Sequence, residues 1–206
     1  GGESGRGDPV RLANPVNKQL PLLRTSVLPA LLDVVGHNAN IGEKDVRLFE
    51  IGKVFDRNEG VYRERWVLAG ALTGAAERLR WDAAPREIDF FDGKGVLEAL
   101  AEALDIDSPA SCCYDGPLFD PGAGFTLGQD ELGAFGMLSK RLRDAWELDA
   151  QVFAFELDLD CLLAHCPEHR AYSELSRFPA ARRDAALVLD EGVAAGDVAA
   201  VEPAVG

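Results

Sequence analysis

RLFEIGKVFDRNEG, residues 47–60, is the stretch on which the fold turns. With the preceding valine it alternates: Val46, Leu48, Glu50, Gly52 and Val54 fall on one side. Phe49, Ile51 and Phe55 fall on the other, between basic residues. Apolar groups on both sides predict an interior strand covered on two faces, because only a doubly buried strand has to be apolar all round. DRNEG, which follows, is turn chemistry. WVLAGALTG, 66–74, is an apolar run short enough to be a second central strand.

Upstream, Leu28, Leu31, Leu32 and Val35 recur at the spacing of one buried helix face. Thr25 or Ser26 can cap that helix, Pro29 suits its first turn, and Asn38, Asn40 and Gly42 form its stop. Downstream, DFFDGKGVLEALAEALDI, 89–106, turns from aromatic to helical, with Val96, Leu97, Leu100 and Leu104 in one stripe. GFTLGQDELGAFGML predicts a hairpin turning at Gln129 and Asp130. The short helix SKRLRDAWEL follows, then the strand QVFAFELDLD and the brief helix DCLLAHC. Asp158 and Asp160 flank Leu159 on one side of that strand, and Asp160 is expected to cap the brief helix. Hairpins among helices, without regular strand–helix–strand alternation, predict an α+β fold with an antiparallel sheet flanked by helices.

Composition narrows the function. The chain has 206 residues and 21 Lys+Arg against 35 Asp+Glu, a net charge of −14. So acidic a surface is a poor general grip on nucleic acid, whose affinity for proteins is dominated by phosphate neutralisation. Lys140, Arg141 and Arg143 read as a solvated helix face, and Arg177, Arg182 and Arg183 as a turn. No apolar run is long enough to span a membrane, and the opening GGESGRGDPV reads as a linker rather than a signal peptide. Cys112, Cys113, Cys161 and Cys166 contain no CxxC pair, so reduced thiols and a cytoplasmic location are expected.

Five collinear stretches carry a resemblance: NPVNKQLPLLRTSVLPALLDVVGHNAN, RLFEIGKVF, DFFDGKGVLEAL, VFAFELDLDCLL and YSELSRFPAARRDAALVLDE. Together they resemble the C-terminal half of the bacterial phenylalanine–tRNA ligase β subunit. The resemblance implies a linker over 1–11 and a class II aminoacyl-tRNA synthetase-like, non-catalytic core over 12–175. It also implies the start of a ferredoxin-like anticodon-binding module over 176–206. In that family the α subunit performs the chemistry, with ATP and Mg²⁺, and charges tRNA-Phe within an α₂β₂ assembly. The expected role of this chain is thus a catalytically silent scaffold that pairs with the α subunit. The region from Arg24 to Asn40 corresponds to one through which class II cores pair, which makes Pro29, Leu32 and His37 interface candidates beside Arg24. Phe90 and Phe91 join them as aromatic anchors. Asp120 and Ala123 stand where the family more often has histidine and arginine, and Gly93 where leucine is common.

The same stretch poses a chemical question. Adenylate formation needs guanidinium groups fixed against the ATP phosphates. In active class II enzymes the strand resembling FEIGKVF is followed directly by such an arginine, and here Asp56 stands there. Arg57 comes one step later, on the opposite side of a strand, and only a bulge could redirect it. No second arginine lies in PGAGFTLG, and Arg141 beside LGAFGMLSKR belongs to a helix pattern. Glu50, Gly52, Asp56 and Arg57 therefore read as a degenerate ATP strand, with no catalytic residue, cofactor or metal expected within the chain. Glu50 reads as a carboxylate partnered by Arg47, Lys53 or a backbone donor. Two alternatives compete: an active adenylate-forming ligase using Arg57, and a zinc-stabilised interaction module using Cys161, His165, Cys166 and His169. Zinc sites usually gather two separated ligand pairs, so a half-buried helix end is the preferred reading of that cluster. Gly122 and Gly124 lack a following GK[ST], and a turn is expected there instead of a phosphate loop.

Overall fold

The computed structural model describes residues 7–15, 21–76, 86–168, 188–190 and 193. The chain divides into two compact units, Gly1–Arg170 and Ala171–Gly206. The elements below all lie in the first. The anticodon-module expectation over 176–206, with Arg177, Arg182 and Arg183, falls almost entirely outside the described residues, as does His169.

In chain order the elements are β1 (Asp8–Pro9), α1 (Leu28–Asn40), β2 (Val46–Asn58), β3 (Val61–Thr73) and α2 (Phe90–Leu104). Then come β4 (Ala110–Cys113), β5 (Phe119–Leu127), β6 (Asp130–Leu138), α3 (Lys140–Ala145), β7 (Val152–Asp158) and α4 (Leu159–Ala164). The strands make one sheet in the order β1-β2-β3-β7-β6-β5-β4, antiparallel at every ladder. The expected α+β architecture is what forms. Asp8–Pro9, assigned to the linker on sequence grounds, instead pairs with Arg57 and Asp56 at the outer edge of β2.

α1 covers one face of the sheet. Leu31, Leu32 and Val35 pack on Val54, Val67, Ala69 and Ala154, side chains small enough to let the helix approach closely. Its entry has no cap at its own N-cap residue, Val27. Ser26 Oγ accepts from Leu28 N at 3.2 Å, and Glu156 of β7 accepts from Val27 N at 3.0 Å and from Ser26 Oγ at 2.6 Å. A carboxylate from the sheet thus satisfies the orphan donors that a helix start exposes.

α2 and α4 cover the other face, where Leu97 and Leu162 meet Leu68, Phe125, Phe135, Phe153 and Phe155. Asp89 begins α2 with a reciprocal capping box closed by Asp92. Gly93 is buried in that helix, where a Cβ would collide with the Phe135 ring. Val96, expected in the buried stripe, is exposed, and Gly93 and Ala101 bury beside Leu97 instead.

Three other expectations change. β2 is not covered on two faces: Phe49 is 73% exposed and Ile51 50%, because α2 and α4 pack over β3, β6 and β7 and leave β2 bare. The brief helix is capped by Asp158, whose Oδ1 accepts from Cys161 N at 2.9 Å, while Asp160 accepts from Trp66 N. Gly122 and Gly124 lie inside β5, where Gly122 faces Gly136 and lets two strands meet closely, and the turn falls after Leu127.

Candidate functional site

The β2–β3 hairpin positions the site. Its register runs unbroken from Val46↔Thr73 to Asn58↔Val61. Side chains directly opposite share a face, so Glu50, Gly52, Val54 and Asp56 lie with Arg63, Arg65, Val67 and Ala69 on the α1 side. Continuing into β7, Ala69 faces Glu156 and Val67 faces Asp158. A cavity of about 370 Å³ opens on this face, with Arg65, Glu131, Glu156, Asp158, Tyr114 and Phe119 among its walls.

Asp56 is only 3% exposed and meets Arg65 Nη2 at 3.2 Å. Arg65 Nη1 reaches Asp158 Oδ2 at 3.3 Å. Arg65, the one guanidinium on the wall among the described residues, is thus held between two carboxylates, and Glu131 and Glu156 add further carboxylates to the lining. Such a lining repels a polyphosphate. Arg57 is exposed and sits on the opposite side of the strand, since the ladder carries no bulge to turn it around.

Glu50 pairs with Arg24, its Oε1 taking Nη1 at 2.7 Å, rather than with Arg47 or Lys53. Arg24 Nε also donates to the Lys53 carbonyl, and its own carbonyl accepts from Phe55 N. Gly52 is the slot for that side chain, because a Cβ there would strike the Arg24 guanidinium. Arg24, Glu50 and Gly52 therefore act together as a clamp between β2 and the segment leading into α1.

The remaining sequence candidates scatter. Pro29 and His37 are exposed on α1, whereas Leu32 is 2% exposed in the core, which removes it from any surface. Phe90 is half-buried against Phe135 with ring centroids 4.9 Å apart, and Phe91 is 76% exposed. Around the cysteines, His165 Nδ1 lies 3.0 Å from the Cys161 carbonyl and Nε2 3.5 Å from Asp130. Cys166 Sγ turns back to the Leu162 carbonyl. Burial, reinforced by Asp130 and Asp158, pushes the Cys161 thiol above its ordinary range, which disfavours the thiolate that metals require. Sequence reasoning missed Arg65 and Tyr114, and it named Asp158 only as the neighbour of Asp160 on the last strand. A hairpin register counted from the Glu59–Gly60 turn puts Arg63 opposite Asp56 and Arg65 opposite Val54, on the same face and within diagonal reach of Asp56.

Residues 2–159 match the family model described as the phenylalanyl tRNA synthetase beta chain CLM domain. This chain belongs to that family. The CLM-domain chain is similar to phenylalanine–tRNA ligase β subunits from Syntrophotalea carbinolica, 31% identical over 95% of this chain, and Geobacter sulfurreducens, 35% over 96%. The Thiobacillus denitrificans β subunit is 38% identical over 92%. In each case this CLM-domain chain spans about a quarter of the relative's length, 25%, 25% and 23%. Among solved structures, a pyrrolysyl tRNA synthetase from Desulfitobacterium hafniense shares the fold, with a TM-score of 0.53 at 19% identity. That match covers 69% of this chain and 49% of the other. The CLM domain thus has a class II synthetase-like fold.

Proposed function

We propose that this chain is a catalytically silent scaffold within a phenylalanine–tRNA ligase β subunit. It pairs with the α subunit, in an α₂β₂ assembly, and the complex charges tRNA-Phe with phenylalanine in the cytoplasm. ATP and Mg²⁺ act on the α subunit, and RNA contacts belong to other modules of the full β subunit. α1 supplies part of the pairing surface through Pro29 and His37, which stand clear of the core.

The observation that carries this reading is the Asp56–Arg65–Asp158 triad. Adenylate formation needs positive charge fixed where negative charge develops on phosphate. Here a buried aspartate occupies that strand position and neutralises the nearest guanidinium, and Arg57 faces away. The active-ligase alternative has no observation in its favour.

Two measurements test it. Phenylalanine-dependent pyrophosphate exchange by the chain alone should stay at background, and sedimentation with the matching α subunit should yield a mixed complex. Exchange above background that Arg57→Ala removes would restore the ligase alternative. Independent sedimentation of the two proteins at micromolar concentration would remove the pairing role.

A further inference from the structure

In β2 the backbone groups of alternate residues point to opposite neighbours. Phe55 N donates outward to the Arg24 carbonyl, and the Lys53 carbonyl accepts outward from Arg24 Nε. Arg47, Phe49 and Ile51 share that parity, so their N–H and C=O groups also point outward. β1 reaches only Asp56 and Arg57, and among the described residues no strand lies beside 46–52. Beside this open edge Phe49 and Ile51 are exposed on one sheet face, with Tyr62 at 68% and Trp66 at 41% on β3. An uncovered edge flanked by large apolar side chains is a template for another strand.

The charge of this face runs against that of the molecule. The same side of β2 carries Arg47, Lys53 and Arg57 and no carboxylate, and Glu64 of β3, opposite Phe55, is bonded to Lys53. Arg47 is held by the carbonyls of Ala75 and Ala76, and Lys53 lies 5.1 Å from the Trp66 ring centroid. The row therefore reads basic, apolar, apolar, basic from Arg47 to Lys53, on a chain whose net charge is −14.

The geometry points to the β2 edge, Arg47–Lys53, as a docking site for an extended segment of a partner protein with alternate apolar residues flanked by carboxylates. A peptide strand offers donors and acceptors in alternation, which is what an open edge needs, and its alternate side chains lie over Phe49 and Ile51. Single-stranded RNA can stack on the aromatic rings, but its 2′-hydroxyls and base amines do not repeat at the spacing of the outward carbonyls, and its phosphates meet a net negative field. The inference goes beyond the scaffold reading by naming a second surface, on the sheet edge, and the chemistry it accepts.

The test uses amide hydrogen exchange of the 206-residue chain, read residue by residue, with the peptide Glu-Thr-Ile-Thr-Val-Thr-Glu as probe. At saturation the amides of Arg47, Phe49 and Ile51 should slow by about fivefold or more, since strand pairing protects them. The same peptide N-methylated at isoleucine and valine, and a Lys-flanked version, should slow them far less. Phe49→Glu, with unchanged far-UV circular dichroism, should abolish the effect. Equal protection by the Lys-flanked peptide, or protection by oligouridylate instead, overturns the proposal. A dimer of the chain that Phe49→Glu dissolves also overturns it, by naming a second copy as the occupant. If the α subunit pairs while these amides still exchange freely in its presence and with the peptide, the scaffold reading stands and this one falls.

Discussion

A single side chain, Asp56, sets the chemistry of the site. Its burial is tolerated only because Arg65 reaches it, and Arg65 keeps Asp158 as a second partner. Asp56→Ala should therefore lower stability by about 1–3 kcal/mol, less than the full cost of stranding a buried charge. The check is urea denaturation, where the midpoint should fall with the slope unchanged. A second residue-scale effect lies at the start of α2. Arg86 foremost, and then the Asp89 backbone, hold the Asp92 carboxyl down at about 2, against an opposing push from burial. A depressed folded-state pKa stabilises fully above the unfolded value of about 4 and is lost as pH falls through the folded one. Asp92→Asn should accordingly cost stability at neutral pH and converge with the parent between about pH 4 and 2. Parallel denaturation curves for the two proteins across that window, with a constant gap, would contradict the assignment.

Elements show where local pattern and packing part company. Gly93 and Gly95 lie two residues apart in α2, yet a Cβ at Gly93 would meet the Phe135 ring and one at Gly95 meets nothing within 4 Å. Gly95→Ala should stabilise by up to about 1 kcal/mol through helix propensity alone. Gly93→Ala should lose about 1–3 kcal/mol by overpacking, despite the same gain in propensity. Thermal denaturation of both variants, with shifts of opposite sign, checks the pair. In α1, Leu32→Ala should cost about 2–4 kcal/mol as a core truncation, whereas His37→Ala should leave stability unchanged and act on α-subunit pairing. The periodicity of 28–35 is readable because a helix on a sheet buries one stripe: Leu28, Leu31, Leu32 and Val35 are buried, and Val34, off the stripe, is exposed. The alternation of 46–55 was equally readable as a strand, but not its environment. Apolar residues on both faces show that a strand has two faces to cover, and how far α2 and α4 extend over β2 is settled elsewhere in the chain.

At the scale of the whole molecule, a net charge of −14 makes self-repulsion a term in stability. The surface pairs Lys53–Glu64, Lys94–Glu98 and Lys140–Asp144 are exposed and contribute little against it. Raising salt from low ionic strength to about 0.15 M should therefore raise the melting temperature by roughly 2–4 °C, the shift expected for ~1 kcal/mol. A fall would mean that the ion pairs outweigh the repulsion.

By itself the sequence determined the four helices, the strands β2, β3, β5, β6 and β7, the antiparallel α+β class and the family. Periodicity, turn residues and motif order can be read along the chain, whereas the short edge strands β1 and β4 carry no such pattern. It also set Asp56 and Arg57 on opposite sides of one strand, since strand alternation is fixed by the backbone. Tertiary structure alone decided that Arg65 and Asp158 close on Asp56, that Glu156 caps α1 across the sheet, and that Gly52 makes room for Arg24. It alone left Phe49 and Ile51 exposed beside an edge that no strand among the described residues covers. Those facts depend on which strands become neighbours, and pairing between residues as distant as Val27 and Glu156 is specified by packing rather than by any stretch of chain.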